Sequence, residues 1–301
     1  MYSIPCLKPG DSVAIVSPAS PPKSTDWELG LKVLEQWGLQ IVCAPNHLKT
    51  HFGLAGTDEQ RLYDLQWALN EPSIKAIFPI RGGYGTSRII DQLDFSNFLK
   101  QPKWVVGFSD ITTLLMHLNA IEFPSLHAPM PHNFLQKGGD LALKNLQKFL
   151  FEGKFNLSTG IHPFNKPGHV EAPIIGGNLS ILVHLIGTPS FPNPKNTILF
   201  IEDIGERLYH VDRMMVQLKR AGILSQLSGM IVGGFSDCEE ASLEIGKDAY
   251  GIIAEHTQEF NYPIAFNFPA GHIPNNQPLL MGQKISLVIN SAEVQLTYTN
   301  P

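Results

Sequence analysis

Residues Lys103 to Ala120 read KWVVGFSDITTLLMHLNA. Trp104 to Phe108 has the apolar density of a buried strand, and Ile111 to Ala120 reads as a helix. They meet at Gly107-Phe108-Ser109-Asp110, with no room for a loop. A strand turning directly into a helix is the setting of a nucleophile elbow. It exposes the serine Oγ and aims the first helical N–H groups at the spot where an oxyanion would form. The run departs from G-x-S-x-G because Asp110 and Ile111 follow the serine, so this is not a standard α/β-hydrolase elbow. The same residues also read as a plain helix N-terminus capped by Ser109 or Asp110.

The alternation continues on both sides. Ser12–Val16, Gln40–Ala44 and Ile74–Ile80 read as strands; Asp26–Trp37, Thr57–Asn70 (with a Thr57/Gln60 capping box) and Thr86–Asp91 read as helices. Strands alternating with helices imply a parallel sheet with helices on both faces. The pattern breaks between Gly153 and Pro173, which reads as an interdomain connection. Three segments follow: residues 1–155, a linker over 156–172, and 173–301. In the last, Leu179–Ile186, Val211–Ala221 and Ala249–Thr257 read as helices, and Thr197–Ile201 and Gly229–Phe235 as strands. Lys284–Ile289 and Val294–Tyr298 flank a hairpin turn at Asn290–Glu293. The expected class is α/β: a parallel-sheet first domain and a β-rich, mixed second one.

Composition excludes several functions. The 301 residues carry 22 Lys+Arg against 27 Asp+Glu, a net charge of −5 without a basic tract, which argues against nucleic acid as a partner. The opening MYSIPCLKPGDSVAIVSP lacks the basic and apolar regions of a signal peptide. The longest mostly apolar stretch, about 13 residues from Ile174 to Ile186, is too short to span a bilayer and includes Asn178 and His184. Cys6, Cys43 and Cys238 are isolated and read as thiols in a reducing cytoplasm. His127 and His132 are separated by Pro129 and Pro131, and His47 and His51 lie outside any helical period, so no metal site is expected.

A serine nucleophile needs a base, and the base an orienting carboxylate. Of eleven histidines, His272 sits in NFPAGHIP, a loop whose Gly and Pro residues would fix an exposed imidazole. Glu202 ends the apolar strand TILFI, where a carboxylate is costly unless partnered and where open α/β sheets place their sites. Each also has an ordinary reading, as a surface histidine and a solvated strand end. The glycines of Arg81-Gly82-Gly83-Tyr84-Gly85 would let backbone N–H groups approach an anion, or make a simple turn.

Taken together, six ordered segments resemble the serine LD-carboxypeptidases of the S66 class, cytoplasmic enzymes that trim the murein tetrapeptide. They are GDSVAIVSPAS, RGGYGTSRIIDQLD, KWVVGFSDIT, IIGGNLSIL, LFIEDIGERLYHVDRMMVQLKRAG and PAGHIPNNQPLLMG. The resemblance covers nearly the whole chain. It implies a triad of Ser109, Glu202 and His272. It also implies an oxyanion hole from the backbone N–H groups of Asp110 and Gly83, with Gly82 as the alternative to Gly83. No metal or organic cofactor is implied. Arg81 and Asn178 are candidate substrate contacts, Arg81 having a structural ion pair as its other reading; Glu206 has no assigned role. The implied fold is a flavodoxin-like first domain carrying the serine and a β-rich second domain carrying Glu202 and His272. The implied substrate is a murein tetrapeptide or muropeptide, and the implied assembly a homodimer. Two other readings stand beside this one. Relatives of the microcin C self-immunity peptidase use the same triad on an aminoacyl-sulfamate nucleotide, with a longer loop and a different segment after the glutamate. A non-catalytic nucleotide-binding domain would leave GFSD, IED and AGH unexplained.

Overall fold

A computed structural model describes residues 4–153 and 156–298; the expected boundary after residue 155 falls outside them. The first half runs β1 (Ser12–Val16), α1 (Asp26–Gln36), β2 (Gln40–Cys43), α2 (Asp58–Asn70), β3 (Ile74–Pro79), α3 (Ser96–Lys100), β4 (Trp104–Gly107), α4 (Thr112–Ala120), β5 (Ser125–His127) and α5 (Asp140–Glu152). The second half runs β6 (Asn156–Thr159), β7 (Gly168–Asn178), α6 (Leu179–Leu185), β8 (Ile198–Ile204), α7 (Leu208–Arg220), β9 (Gly229–Ser236), α8 (Ala249–Thr257), β10 (Ile264–Ala265), β11 (Leu279–Met281), β12 (Lys284–Ile289) and β13 (Val294–Tyr298).

Five parallel strands form the first sheet in the order β2-β1-β3-β4-β5. That is the flavodoxin-like doubly wound order, as expected. Its inner strands β1, β3, β4 and β5 bury nearly every residue, because helices cover both faces, while the edge strand β2 stays partly exposed. The capping box that starts α2 is present, with Thr57 Oγ accepting from Gln60 N and Gln60 Oε1 from Thr57 N. The expected helix over Thr86–Asp91 is two short 3₁₀ turns, Thr86–Arg88 and Ile90–Gln92, separated by Ile89 at φ −118°.

A second sheet runs β10-β9-β8-β7-β12-β13-β6. It is parallel from β10 to β7 and antiparallel beyond, so β7 pairs in parallel with β8 on one edge and antiparallel with β12 on the other. Residues 156–172, read above as a linker, are built into this sheet: they supply β6 and the first part of β7. Their partners, β13 and β12, are the last strands of the chain, so no local turn signal announced the pairing. β11 leaves the second half and adds to the first sheet, antiparallel to β5. The chain thus crosses back and ties the two sheets together.

Three loops at the carboxyl ends of β1, β3 and β4 converge, and buried charges hold them there. Arg61 of α2, 1% exposed, donates from Nη1 to Pro18 O at 2.5 Å and to Gly85 O at 2.8 Å. Its Nη2 meets Asp58, which Arg88 also binds. Asp110, buried just after Ser109, accepts from Thr86 N at 2.9 Å. Replacing Arg61 with Met would strand two buried carbonyls and lose a charge-assisted contact, at a cost of about 2–4 kcal/mol. Urea unfolding of Arg61→Met should show a loss of that size.

Candidate active site

The elbow is strained where the sequence placed it. Phe108 is extended, and Ser109 then takes φ +63°, a left-handed conformation that non-glycine residues rarely adopt. A 3₁₀ turn over Ser109–Ile111 leads into α4. A Cβ on Gly107 would lie 2.8 Å from Ile111 Cγ2, so the turn closes this tightly only over glycine.

The glycine loop after β3 lies directly against the serine. A Cβ on Gly82 would sit 2.8 Å from Ser109 Oγ and 3.2 Å from Asp110 N, whereas one on Gly83 would strike Ser20. Gly82 O faces Ser20 N at 3.4 Å. The N–H of Gly83 lies trans to that carbonyl in the same peptide plane, so it points away from Ser20. The N–H groups of Asp110, Gly82 and Gly83 have no acceptor among the described residues. This is the donor arrangement an oxyanion requires.

Glu202 lies near the end of β8, in register with Asn178 of β7, and is wholly buried. Its Oε2 accepts from His272 Nδ1 at 2.7 Å and from His272 N at 3.0 Å. Gly271 precedes the histidine because a Cβ there would lie 2.6 Å from that same oxygen. The loop is pinned by Gly271 N to Asn276 Oδ1 (2.7 Å) and by Ser236 Oγ to His272 O (2.8 Å). With Nδ1 engaged by the carboxylate, the His272 ring packs on Phe108, the residue before Ser109, with centroids 4.8 Å apart. Glu202 and His272 are therefore joined directly, and the imidazole lies beside the elbow.

Electrostatics match this geometry. Burial pulls the His272 pKa down, but the charge and hydrogen bond of Glu202, with Asp203 behind, outweigh it and leave the imidazole more basic than usual. Burial likewise opposes ionisation of Glu202, and the adjacent His272 overcomes it, holding the carboxyl below its ordinary range. Asp203, on the same strand, is pushed up to about 6 by burial and by Glu202.

The other expected contacts separate. Arg81 is half-buried with only Pro21 O at 3.4 Å, and has no carboxylate partner among the described residues; the structural ion pair is not formed. Burial lowers its pKa. Asn178 is 5% exposed and engaged within the protein. Its Oδ1 caps α6 at Ile181 N and accepts from Ser180 Oγ, and its Nδ2 donates to Asp203 at 2.8 Å. Asparagine before a helix is an ordinary N-cap signal. Glu206 pairs with His210 at 3.0 Å. Two contributors were not read from the sequence. Thr112 Oγ1 accepts from Asn178 N at 3.2 Å and so joins the elbow helix to the second sheet. His127, at the end of β5, lies fully buried beneath the pair and unlike His132 belongs to this site. Beside His272 opens a small pocket of about 130 Å³, lined by Phe108, Asn133, Gln136, Ile204 and Ile273.

The chain matches the LD-carboxypeptidase N-terminal domain over residues 13–128 and the LD-carboxypeptidase C-terminal domain over residues 171–287. It is 30% identical to the murein tetrapeptide carboxypeptidase of Pseudomonas aeruginosa, over 88% of this chain and 89% of that one. The crystal structure of muramoyltetrapeptide carboxypeptidase from Oxalobacter formigenes superposes with a TM-score of 0.87 at 28% identity, covering 96% of this chain and 99% of that one. The microcin C7 self-immunity protein MccF in complex with glutamyl sulfamoyl guanosine shares the fold, with a TM-score of 0.87 at 22% identity and 98% coverage of both chains. These matches, spanning both halves of the chain, make it a member of the S66 LD-carboxypeptidase family.

Proposed function

We propose that the protein is a serine LD-carboxypeptidase that removes the C-terminal D-alanine from murein tetrapeptides. The observation that carries this reading is the 2.7 Å contact of buried Glu202 with His272, whose ring packs beside the strained Ser109 elbow. Ser109 Oγ attacks the carbonyl carbon of the scissile bond while His272, through Nε2, takes the serine proton. The oxyanion is held by the N–H groups of Asp110 and Gly83, each contributing roughly 3 kcal/mol. Collapse breaks the C–N bond, and His272 passes its proton to the departing D-alanine amine. Water, deprotonated by His272, then attacks the ester carbonyl; the proton returns to Ser109 Oγ and the tripeptide leaves. Glu202 fixes the tautomer of His272 and stabilises its cationic form.

Substrate features fit the surroundings. Arg81 offers an unpaired planar fork suited to a peptide carboxylate. The pocket beside the proton-donating His272 is far smaller than the roughly 300–1,000 Å³ that encloses a drug-sized ligand, which suits a leaving group as small as alanine. The reading places the enzyme in the cytoplasm, as a homodimer, returning tripeptide to wall synthesis. Among the described residues no helix is long and apolar enough to cross a membrane. The second reading, cleavage of an aminoacyl-sulfamate nucleotide, is supported by the shared fold with MccF.

Mass spectrometry of murein tetrapeptide incubated with the protein should show loss of one D-alanine, and Ser109→Ala should reduce the rate by about 10⁴-fold or more. Loss of the nucleotide sulfamate with an untouched tetrapeptide would move the assignment to the second reading. Gly82→Ala would put a methyl 2.8 Å from Ser109 Oγ; a displacement of that order should lower kcat by about 10²-fold while circular dichroism and thermal melting stay near wild type. The base must be neutral to act, and its pKa is raised, so activity should be lost as pH falls through a value above 6.5. The acid limb of the kcat/KM profile measures it.

A further inference from the structure

The segment after β1, Ser17-Pro18-Ala19-Ser20-Pro21-Pro22, lies along the glycine loop as a strap. Its carbonyls are held one after another. Pro18 O accepts from Arg61 Nη1 at 2.5 Å, and the same nitrogen reaches Gly85 O at the far end of the loop. Ala19 O accepts from Ala55 N at 2.9 Å. Pro21 O accepts from Arg81 Nη1 at 3.4 Å, at the near end. The prolines fix their own φ and disfavour helical backbone at Ser17 and Ser20, which precede them. Ser20 meets the middle of the loop. Its N–H donates to Gly82 O at 3.4 Å, and its Oγ accepts from Tyr84 N at 3.2 Å. Two successive peptides thus turn toward one serine, the first by its carbonyl and the second by its N–H. Gly83, between them, takes φ +117°, which glycine adopts without strain. On the loop's other side, Ser109 Oγ and Asp110 N border Gly82.

We propose that Ser20 is a positioning residue of this site: by gripping Gly82 O and Tyr84 N it fixes the peptide plane that carries the Gly83 N–H, and so aims that donor at the oxyanion. The proposal rests on the reading of Ser109 as nucleophile and of Asp110 and Gly83 as oxyanion donors. With the Gly82 carbonyl on the Ser20 side, the Gly83 N–H of the same planar peptide lies on the other. Without that grip, a peptide flanked by two glycines has little of its own to hold it, because both neighbours turn freely. The residue type follows from what the position must supply, an uncharged acceptor for Tyr84 N. Alanine offers none. Aspartate would place a negative charge behind the N–H and oppose the oxyanion it serves.

The test compares Ser20→Ala, which deletes the side-chain acceptor, with Ser20→Thr, which keeps it. A fluorophosphonate reads the oxyanion hole without any murein substrate. Ser109 Oγ attacks its phosphorus, fluoride leaves, and the phosphoryl oxygen takes the place of the oxyanion. Ser20→Ala should lower both kcat on murein tetrapeptide and the rate of Ser109 labelling about tenfold, a fraction of what losing a whole donor costs. KM should stay within about twofold and thermal melting near wild type. Ser20→Thr should bring both rates back to within about threefold of wild type. A serine that only stabilised the fold would move the melting temperature and leave labelling unchanged. Wild-type kcat and labelling in Ser20→Ala, or a Thr variant as slow as the Ala variant, overturns the proposal. If wild type labels at Ser109 but leaves tetrapeptide intact, the proposed substrate falls and labelling still judges Ser20. If wild type does not label, the nucleophile assignment falls, and the crystal structure of Ser20→Ala decides the positioning role. A turned Gly82–Gly83 peptide supports it, and an unchanged one overturns it.

Discussion

An ionised glutamate with no exposure to water sets the terms for the rest of the site. Burying such a group costs several kcal/mol unless partners replace its hydration. The hydrogen bonds that offset this cost for Glu202 come from His272, which donates from both ring and backbone. The contact is possible because two neighbours have no side chain. A Cβ on Gly271 would meet Glu202 Oε2, and one on Gly233 of β9 would fall 2.4 Å from Ala270 O. The second sheet is thus pared down to backbone where the acid and base meet, and the loop carrying the base is held by Asn276 and Ser236 at its two shoulders.

Ser109 belongs to the other sheet, so the site depends on how closely the sheets approach. Thr112, three residues after Ser109, takes a hydrogen bond from Asn178 N at the end of β7. A Cβ on Gly177 would lie 2.6 Å from that same Thr112 Oγ1. Asn178 in turn holds Asp203, the neighbour of Glu202. A short chain of backbone and amide contacts therefore links the elbow to the acid. This explains why Asn178 sits within a family-like motif while its amide is fully engaged inside the protein. The strain at Ser109 is sustained from the opposite side, where the Asp110 carboxylate anchors the glycine loop through Thr86 N.

What was legible in the sequence was whatever carried its signal locally. The strand-turn-helix around Ser109, the capping box of α2, and the acid ending an apolar strand each announce themselves within a few residues. Contacts made across the chain did not. The segment 156–172 read as irregular because its Pro and Gly residues break any period, and its partners β12 and β13 come at the end of the chain. β11 drew no strand reading because its sheet lies in the other half. His127 gave no sign of its place because a buried neutral histidine follows no pattern of spacing. Its Pro-flanked surroundings argued only against a metal. Whether Gly82 or Gly83 supplies a second N–H depends on the direction of one peptide plane, which no residue type encodes.

The same economy bears on substrate choice. In the proposed mechanism, acyl transfer through Ser109, His272 and the N–H groups engages only the carbonyl carbon, its oxygen and the leaving group. Those features are common to a peptide and an aminoacyl derivative, so the triad is neutral between them, as expected of a fold that also includes MccF. Discrimination must come from groups that touch what lies beyond the reacting bond. One candidate is Arg81, half-buried and without a carboxylate partner among the described residues. A cation left unpaired in a partly dry setting gains most from an anionic ligand that displaces water. A second is the pocket that His272 lines together with Ile204, Ile273, Phe108, Asn133 and Gln136. In the proposed reading, the guanidinium answers a carboxylate of the substrate, and the recess beside His272 takes a leaving group of small size.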